Sequence, residues 1–217
     1  MIIDSVNQSL EVQVFSYIED GILSGRYKSG EQLTELGLTK EIGVSRTPIR
    51  SALHRLSEEG LVELTPNRRV VVLGVTKDDV IDTYKIRIRL EGLASRLCAE
   101  LIDKEKIGKL CEVVELSEFY ISKSNTEKIK ELDTEFHQII YEATGNRMLA
   151  KILGDLHKKI KVYRKASLSV GERVEKSVKE HREILEAIKK GDGDEAERLT
   201  SIHIENAMKN VLASFEK

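Results

Sequence analysis

The sequence predicts a mainly α-helical protein in two parts: a small α+β unit over residues 1–75 and an all-α antiparallel helical bundle over 76–217. Three observations carry this. Both prolines and every strand-like run lie before residue 76. Beyond it, apolar residues recur at helical spacing, with Gly145, Gly171, Gly191 and Gly193 marking breaks. Charged residues make up 33% and aromatics 5%, with no Trp, which suits salt-bridged helices better than a β-sandwich. With 40% hydrophobic residues in 217, each part can build a core. No apolar run approaches the roughly 18 residues needed to span a bilayer. Met1-Ile2-Ile3-Asp4 has neither the basic nor the apolar segment of a signal peptide. Cys98 and Cys111 are too few to staple a fold and read as reduced thiols, so a cytoplasmic protein without a membrane partner is expected.

Over 9–23, Leu10, Val14, Ile18 and Ile22 recur every fourth residue beside Phe15, the spacing of an amphipathic helix, and Gly25 suits its left-handed end. A short helix is expected over 34–42, then Gly43-Val44, then a helix from near Thr47 to Glu59 that stops at Gly60. Pro48 fits that helix only in its first turn, where its missing N–H is an orphan anyway, and Ser45 or Thr47 can cap it. Residues 61–65 and 70–73 are apolar or β-branched runs flanking Pro66-Asn67-Arg68-Arg69, and read as a hairpin. This layout is a winged helix-turn-helix.

Net charge is −2, and residues 1–75 hold 8 Lys/Arg against 10 Asp/Glu, so bulk charge does not favour nucleic acid. Residues 45–55, however, carry Arg46, Arg50 and Arg55 and no acid. The helix from Thr47 is therefore read as entering the major groove of double-stranded DNA, its N-terminal arginines reaching bases and phosphates while the hairpin, with Arg68 and Arg69, follows the backbone. A module for protein contacts is the alternative.

Helices are expected at about 77–102, 104–122, 125–143, 147–166, 172–190 and 193–214, joined by short loops. Asp133 and His137 are i,i+4, about 40° apart on one face. His181 falls within the stripe Val174, Val178, Leu185, Ile188, and Leu199 and Ile202 flank His203. Three inward imidazoles and a carboxylate suffice for a divalent ion of the Zn, Ni or Mn kind, with positions left for water or an anion. For any one of these histidines a hydrogen-bonded core role is the alternative. His157, beside Lys158 and Lys159, is read as solvent-facing. Arg87 either pairs with Glu91 at the surface or points inward, where a charged fork beside a metal would receive a carboxylate or hydroxy-acid. Asn206 and Asn210, one and two turns after His203, are placed to line the same cavity.

Leu33-Thr34-Glu35, Leu38, the run from Ile42 to Leu53, Leu56 and Glu59-Gly60-Leu61-Val62 closely resemble the DNA-binding domain of the GntR family of bacterial transcription regulators. Arg87, Leu90-Glu91, Ala94, Asp133, Phe136-His137, Gly145-Asn146, Glu180-His181, Ala187-Ile188, Gly191-Asp192 and His203 resemble the FCD effector domain of its FadR-like branch. The resemblance spans about 10–210. It implies that Arg46 and Arg50 contact the operator, with Ser45, Thr47 and Pro48 setting the start of the recognition helix. It also implies a divalent metal ligated by Asp133, His137, His181 and His203, and a small carboxylate effector completing its shell with Arg87 as counter-charge. Two positions depart from the family pattern: Ser51 replaces the usual Glu, and Arg69 the usual glycine of the hairpin tip. The expected protein is a metabolite-responsive repressor, homodimeric on a near-palindromic operator, with coupling through Gly74-Val75-Thr76. A metal sensor without an organic effector is one alternative. A metalloenzyme joined to a DNA-binding head is another, but no separate general base or nucleophile is evident, so the chain is read as not an enzyme.

Overall fold

A backbone that must satisfy its own hydrogen bonds reveals where each segment stops, and here polar caps and left-handed residues set most boundaries. In the structure, a computed structural model that describes residues 9–65, 69–166 and 171–216, the chain separates into two compact units between Thr76 and Lys77.

In the first unit, α1 (Leu10–Leu23) starts at Ser9, whose hydroxyl accepts from the Val12 N–H. Strand β1 (Gln32–Thr34) leads directly into α2 (Glu35–Ile42), and the Thr34 hydroxyl caps that helix by accepting from the Gly37 N–H at 3.0 Å. Gly43, at φ 80°, turns the chain into α3 (Arg46–Glu58). Ser45 occupies the N-cap position of α3, but its hydroxyl makes no capping bond. Pro48 sits in the first turn, as its missing donor requires. Strands β2 (Val62–Leu64) and β3 (Arg69–Val72) follow, and the antiparallel sheet runs β1-β3-β2. Val14, Ile18, Ile22, Ile49, Leu56 and Val70 are among its buried side chains.

Two features differ from the sequence expectation. Strand β1 was not anticipated, because Gln-Leu-Thr offers one apolar residue; the strand exists because β3 presents an edge on which Leu33 pairs with Val70. Arg55, expected in an acid-free basic patch, instead lies 3.8 Å over the Phe15 ring and donates Nε to Glu59, so it pins α3 to α1.

The second unit contains α4 (Lys77–Leu101), α5 (Lys104–Ser122), α6 (Thr126–Ala143), α7 (Arg147–Ala166), α8 (Gly171–Lys189) and α9 (Gly193–Leu212), then a 3-10 turn over Ala213–Glu216. Asp103, Asn125 and Asp192 cap α5, α6 and α9. Their core holds Cys98, Leu110, Val114, Phe136, Leu153, Leu185 and Ala196. Helices α4 and α9 meet along a seam of small residues. Thr200 donates to the Ser95 hydroxyl at 2.8 Å, and a Cβ on Gly92 would come within 2.8 Å of Ser201 Oγ. Arg96 ties the seam at its far end to Glu197 and Asp194. Cys98 and Cys111 are free thiols, and no described helix is long and apolar enough to cross a membrane.

Gly43→Ala places a Cβ on a left-handed residue, so it should destabilise the N-terminal unit by about 1–2 kcal/mol. Urea unfolding measures this, and an unchanged midpoint would contradict the turn.

Candidate metal centre and DNA-facing surface

Histidines in a helical core must find partners for their ring nitrogens or leave them desolvated. His137 on α6, His181 on α8 and His203 on α9 are all buried, and one ring nitrogen from each lies within 4.8 Å of one from each of the others. His181 Nε2 and His203 Nε2 are 3.3 Å apart. Two nitrogens bound to one ion at about 2.1 Å would stand roughly 3–3.5 Å apart, so the spacing fits. Asp133, one turn before His137, places Oδ1 3.8 Å from His181 Nε2 and adjoins the histidine trio there. Phe136 stacks on His181 with ring centres 4.2 Å apart and holds the imidazole plane.

Two carboxylates stand behind the histidines. His203 Nδ1 is 2.6 Å from Glu180 Oε2, and His137 Nδ1 is 3.1 Å from Glu91 Oε2. The hydrogen bond between His203 Nδ1 and Glu180 fixes the proton of that ring on Nδ1 and turns its Nε2 lone pair toward the cluster, the outer arrangement of metal-binding histidines, while Glu91 stands at ion-pair distance behind His137. His137 Nε2 is in fact buried without a hydrogen-bond partner among the described residues, as an imidazole awaiting a ligand would be. The donor set therefore fits a divalent ion. Each carboxylate has its own cation: Arg173 donates to both oxygens of Glu180, and Arg87 donates Nε to Glu91 at 2.5 Å.

These pairings revise several readings. Arg87 does pair with Glu91, but inside the bundle, with side chains 0% and 1% exposed. The pairing works against the desolvation cost and balances the Arg87 charge with that of Glu91. Asn206 donates its amide to Glu180 at 2.9 Å, so it braces that carboxylate. Asn210 is half-buried on the same helix. His157 is buried, not solvent-facing: it continues the inward row Leu149, Leu153, and its ring centre lies 5.6 Å from that of His137. The sequence reading gives no site role to Glu180, Arg173 or Tyr84. The Arg87 guanidinium lies over the Tyr84 ring, and the Tyr84 hydroxyl is buried without a hydrogen-bond partner among the described residues.

Burial pushes the Glu180 carboxyl up, but hydrogen bonds from His203 and Arg173 outweigh it and bring it down to about 2. Burial likewise raises Glu91, and the Arg87 and His137 charges more than reverse it, holding it well below the usual carboxylate range. His203 goes down because burial disfavours its charged form more than Glu180 favours it.

In the first unit, Ser45, Arg46, Thr47 and Arg50 are exposed at the start of α3 and Pro48 is half-buried, opposite the buried Ile49, Ala52, Leu53 and Leu56. Arg46, Arg50 and His54 are four apart and share the outer face. Arg69 is exposed at the start of β3, and Arg68 lies outside the described residues. The stretch free of acid in sequence is not so in space, because Glu35 of α2 pairs with Arg50 at 2.9 Å.

The profile of bacterial regulatory proteins of the gntR family matches residues 10–72, and that of the FCD domain matches 82–206. The chain belongs to the GntR family, in its FCD branch. The regulator is 31% identical to an uncharacterized HTH-type transcriptional regulator, YdhC of Bacillus subtilis, over 88% of this chain and 86% of that one. It is 24% identical to the HTH-type transcriptional repressor RspR of Escherichia coli, over 94% and 90%. Its fold matches that of Lar, which controls expression of the Listeria monocytogenes agr system, with a TM-score of 0.75 at 20% identity, covering 95% and 98%. It is a DNA-binding transcriptional regulator, as are the curated relatives named here by their descriptions.

The metal-free protein should lose stability as pH falls. His203 is kept neutral in the fold, so below its ordinary value of 6.5 the unfolded chain takes up a proton that the folded chain refuses. Glu180 acts lower and in the same direction, contributing fully above 4.5 and losing that contribution toward 2. Thermal melting of chelator-treated protein from about pH 8 to about pH 5 should show a falling Tm; a flat profile would contradict the buried neutral imidazole.

Proposed function

We propose that the regulator is a repressor released by a small carboxylate or hydroxy-acid that binds beside a divalent ion held by His137, His181 and His203, with Asp133 as the adjoining carboxylate. The observation that carries this is the convergence of three imidazoles whose Nδ1 atoms on two of them face carboxylates, leaving Nε2 for a ligand. When bound, the ion supplies positive charge and Lewis acidity toward an anionic ligand. Zn, Ni and Mn-like ions all suit nitrogen and oxygen donors of this kind.

The remaining groups support an anionic class of effector. Arg87 cancels Glu91 and Arg173 cancels Glu180, so with neutral histidines the charge of Asp133 leaves a divalent ion one positive charge in excess. A monoanion balances that, and the Tyr84 hydroxyl is a buried polar group beside Arg87 left for an effector oxygen. Arg87 and Asn210 complete the proposed effector surface, with Asn206 bracing Glu180 at its edge.

On DNA, Ser45, Arg46, Thr47, Pro48 and Arg50 begin a helix that enters the major groove of an operator, while Arg68 and Arg69 meet the backbone. A single winged helix makes few base contacts, so two copies on a near-palindromic site are proposed. Ile86 and Leu93, seven residues apart on α4 and 50% and 39% exposed in the single chain, supply an apolar face for such a dimer. Repression is the sign adopted because the relative RspR is a repressor.

His181→Ala or His203→Ala should abolish stoichiometric metal, measured by elemental analysis; a fully loaded variant would sink the ligand set. Glu180→Gln should keep the stoichiometry but weaken metal affinity by about 10–100-fold in competition titrations. Operator affinity should fall steeply as salt rises, because phosphate contacts release counterions; a flat response would refute groove docking.

A further inference from the structure

Arginine reads guanine through its two terminal nitrogens, and it does so well only when the long side chain is already held in place. Arg50 on α3 is held at its inner nitrogen: Nε donates to both carboxylate oxygens of Glu35, each at 2.9 Å. Nη1 and Nη2 take no hydrogen bond among the described residues, and the side chain is 49% exposed while that of Glu35 is 20% exposed. Glu35 is itself fixed by the fold. It is the first residue of α2, directly after the Thr34 cap, where the positive end of the helix favours a carboxylate.

We infer that Glu35 is a positioning residue for base readout: it holds Arg50 by Nε and leaves the terminal fork for a guanine, so that discrimination by Arg50 depends on a residue of the preceding helix. This rests on the reading that α3 enters the major groove. Two effects of Glu35 oppose each other. Fixing the fork strengthens preference for the right base, while its negative charge repels phosphate and weakens binding to every duplex. A carboxylate that merely masked Arg50 would weaken all DNA alike, and one needed only for folding would take every DNA affinity down with it on removal.

The full-length protein separates these cases, using a duplex it enriches from a random-sequence library and a scrambled duplex of the same composition. Glu35→Gln should tighten binding to the scrambled duplex yet lower the enriched-to-scrambled affinity ratio by about tenfold, within the range a bidentate guanine contact carries. Glu35→Asp keeps the charge but is one methylene shorter, so it should lower the ratio without tightening the scrambled duplex. In an Arg50→Ala background, Glu35→Gln should change the ratio no further. If Arg50→Ala lowers the ratio and neither Glu35 variant does, the positioning role is wrong and the groove assignment stands. Should Arg50→Ala leave the ratio untouched, the groove assignment fails and this inference with it. An equal change on both duplexes, with helical content preserved by circular dichroism, would also overturn it; if the Gln variant does not fold, the Asp variant decides.

Discussion

The short contact between Glu180 and His203 is the constraint around which the helical unit is arranged. An imidazole in a packed core costs about 1–3 kcal/mol for each polar atom left unpaired, so a histidine cluster is tolerable only if carboxylates reach in to meet it. Carboxylates brought that deep need cations in turn, and Arg173 and Arg87 follow from that need. The residues involved come from α4, α6, α8 and α9, so one chemical requirement ties four helices to a common point. The hydrophobic effect is non-directional, whereas these ion pairs and hydrogen bonds are directional and add to the packing in selecting one relative rotation of the helices.

The DNA-reading unit solves a different problem with the same currency of paired charge. Its exposed arginines must be available to phosphate and base, yet a free arginine is a floppy one. Arg55 is committed to Phe15 and Glu59 and acts as part of the packing, whereas Arg50 keeps its terminal nitrogens while its inner nitrogen is occupied. Position on the helix decides this: Arg55 lies where α3 leans on α1, and Arg50 on the face shared with Arg46 and His54.

Most of this architecture was legible in the sequence because it is written locally. Caps such as Asp103 and Asp192, and turns such as Gly43, fix helix ends within a few residues, and the inward histidines sit within apolar stripes that any helical wheel reveals. The misses have separate causes. β1 is too short and too polar to announce itself without β3. His157 was hidden by the two lysines after it, although the row Leu149, Leu153, His157 was there to be read. Arg173 is almost two turns from Glu180 along α8, beyond the i,i+3 and i,i+4 spacings that mark a helical pair, and Glu35 stands fifteen residues from Arg50 on another helix. Burial of the Arg87–Glu91 pair was likewise invisible, since the same spacing serves equally well on a wet surface.

Gly92 carries no chemistry, yet it governs how close α9 can lie to α4. Ser201, the residue it faces, is two positions from His203, so an added methyl at Gly92 would have to push the Ser201 hydroxyl aside and crowd Glu197 beside the imidazole cluster. Under the proposed function, mutants that bind DNA normally but no longer answer an effector need not map to any effector-touching residue. A genetic screen for such deaf alleles would then recover a silent glycine outside the proposed effector site as readily as the histidines within it.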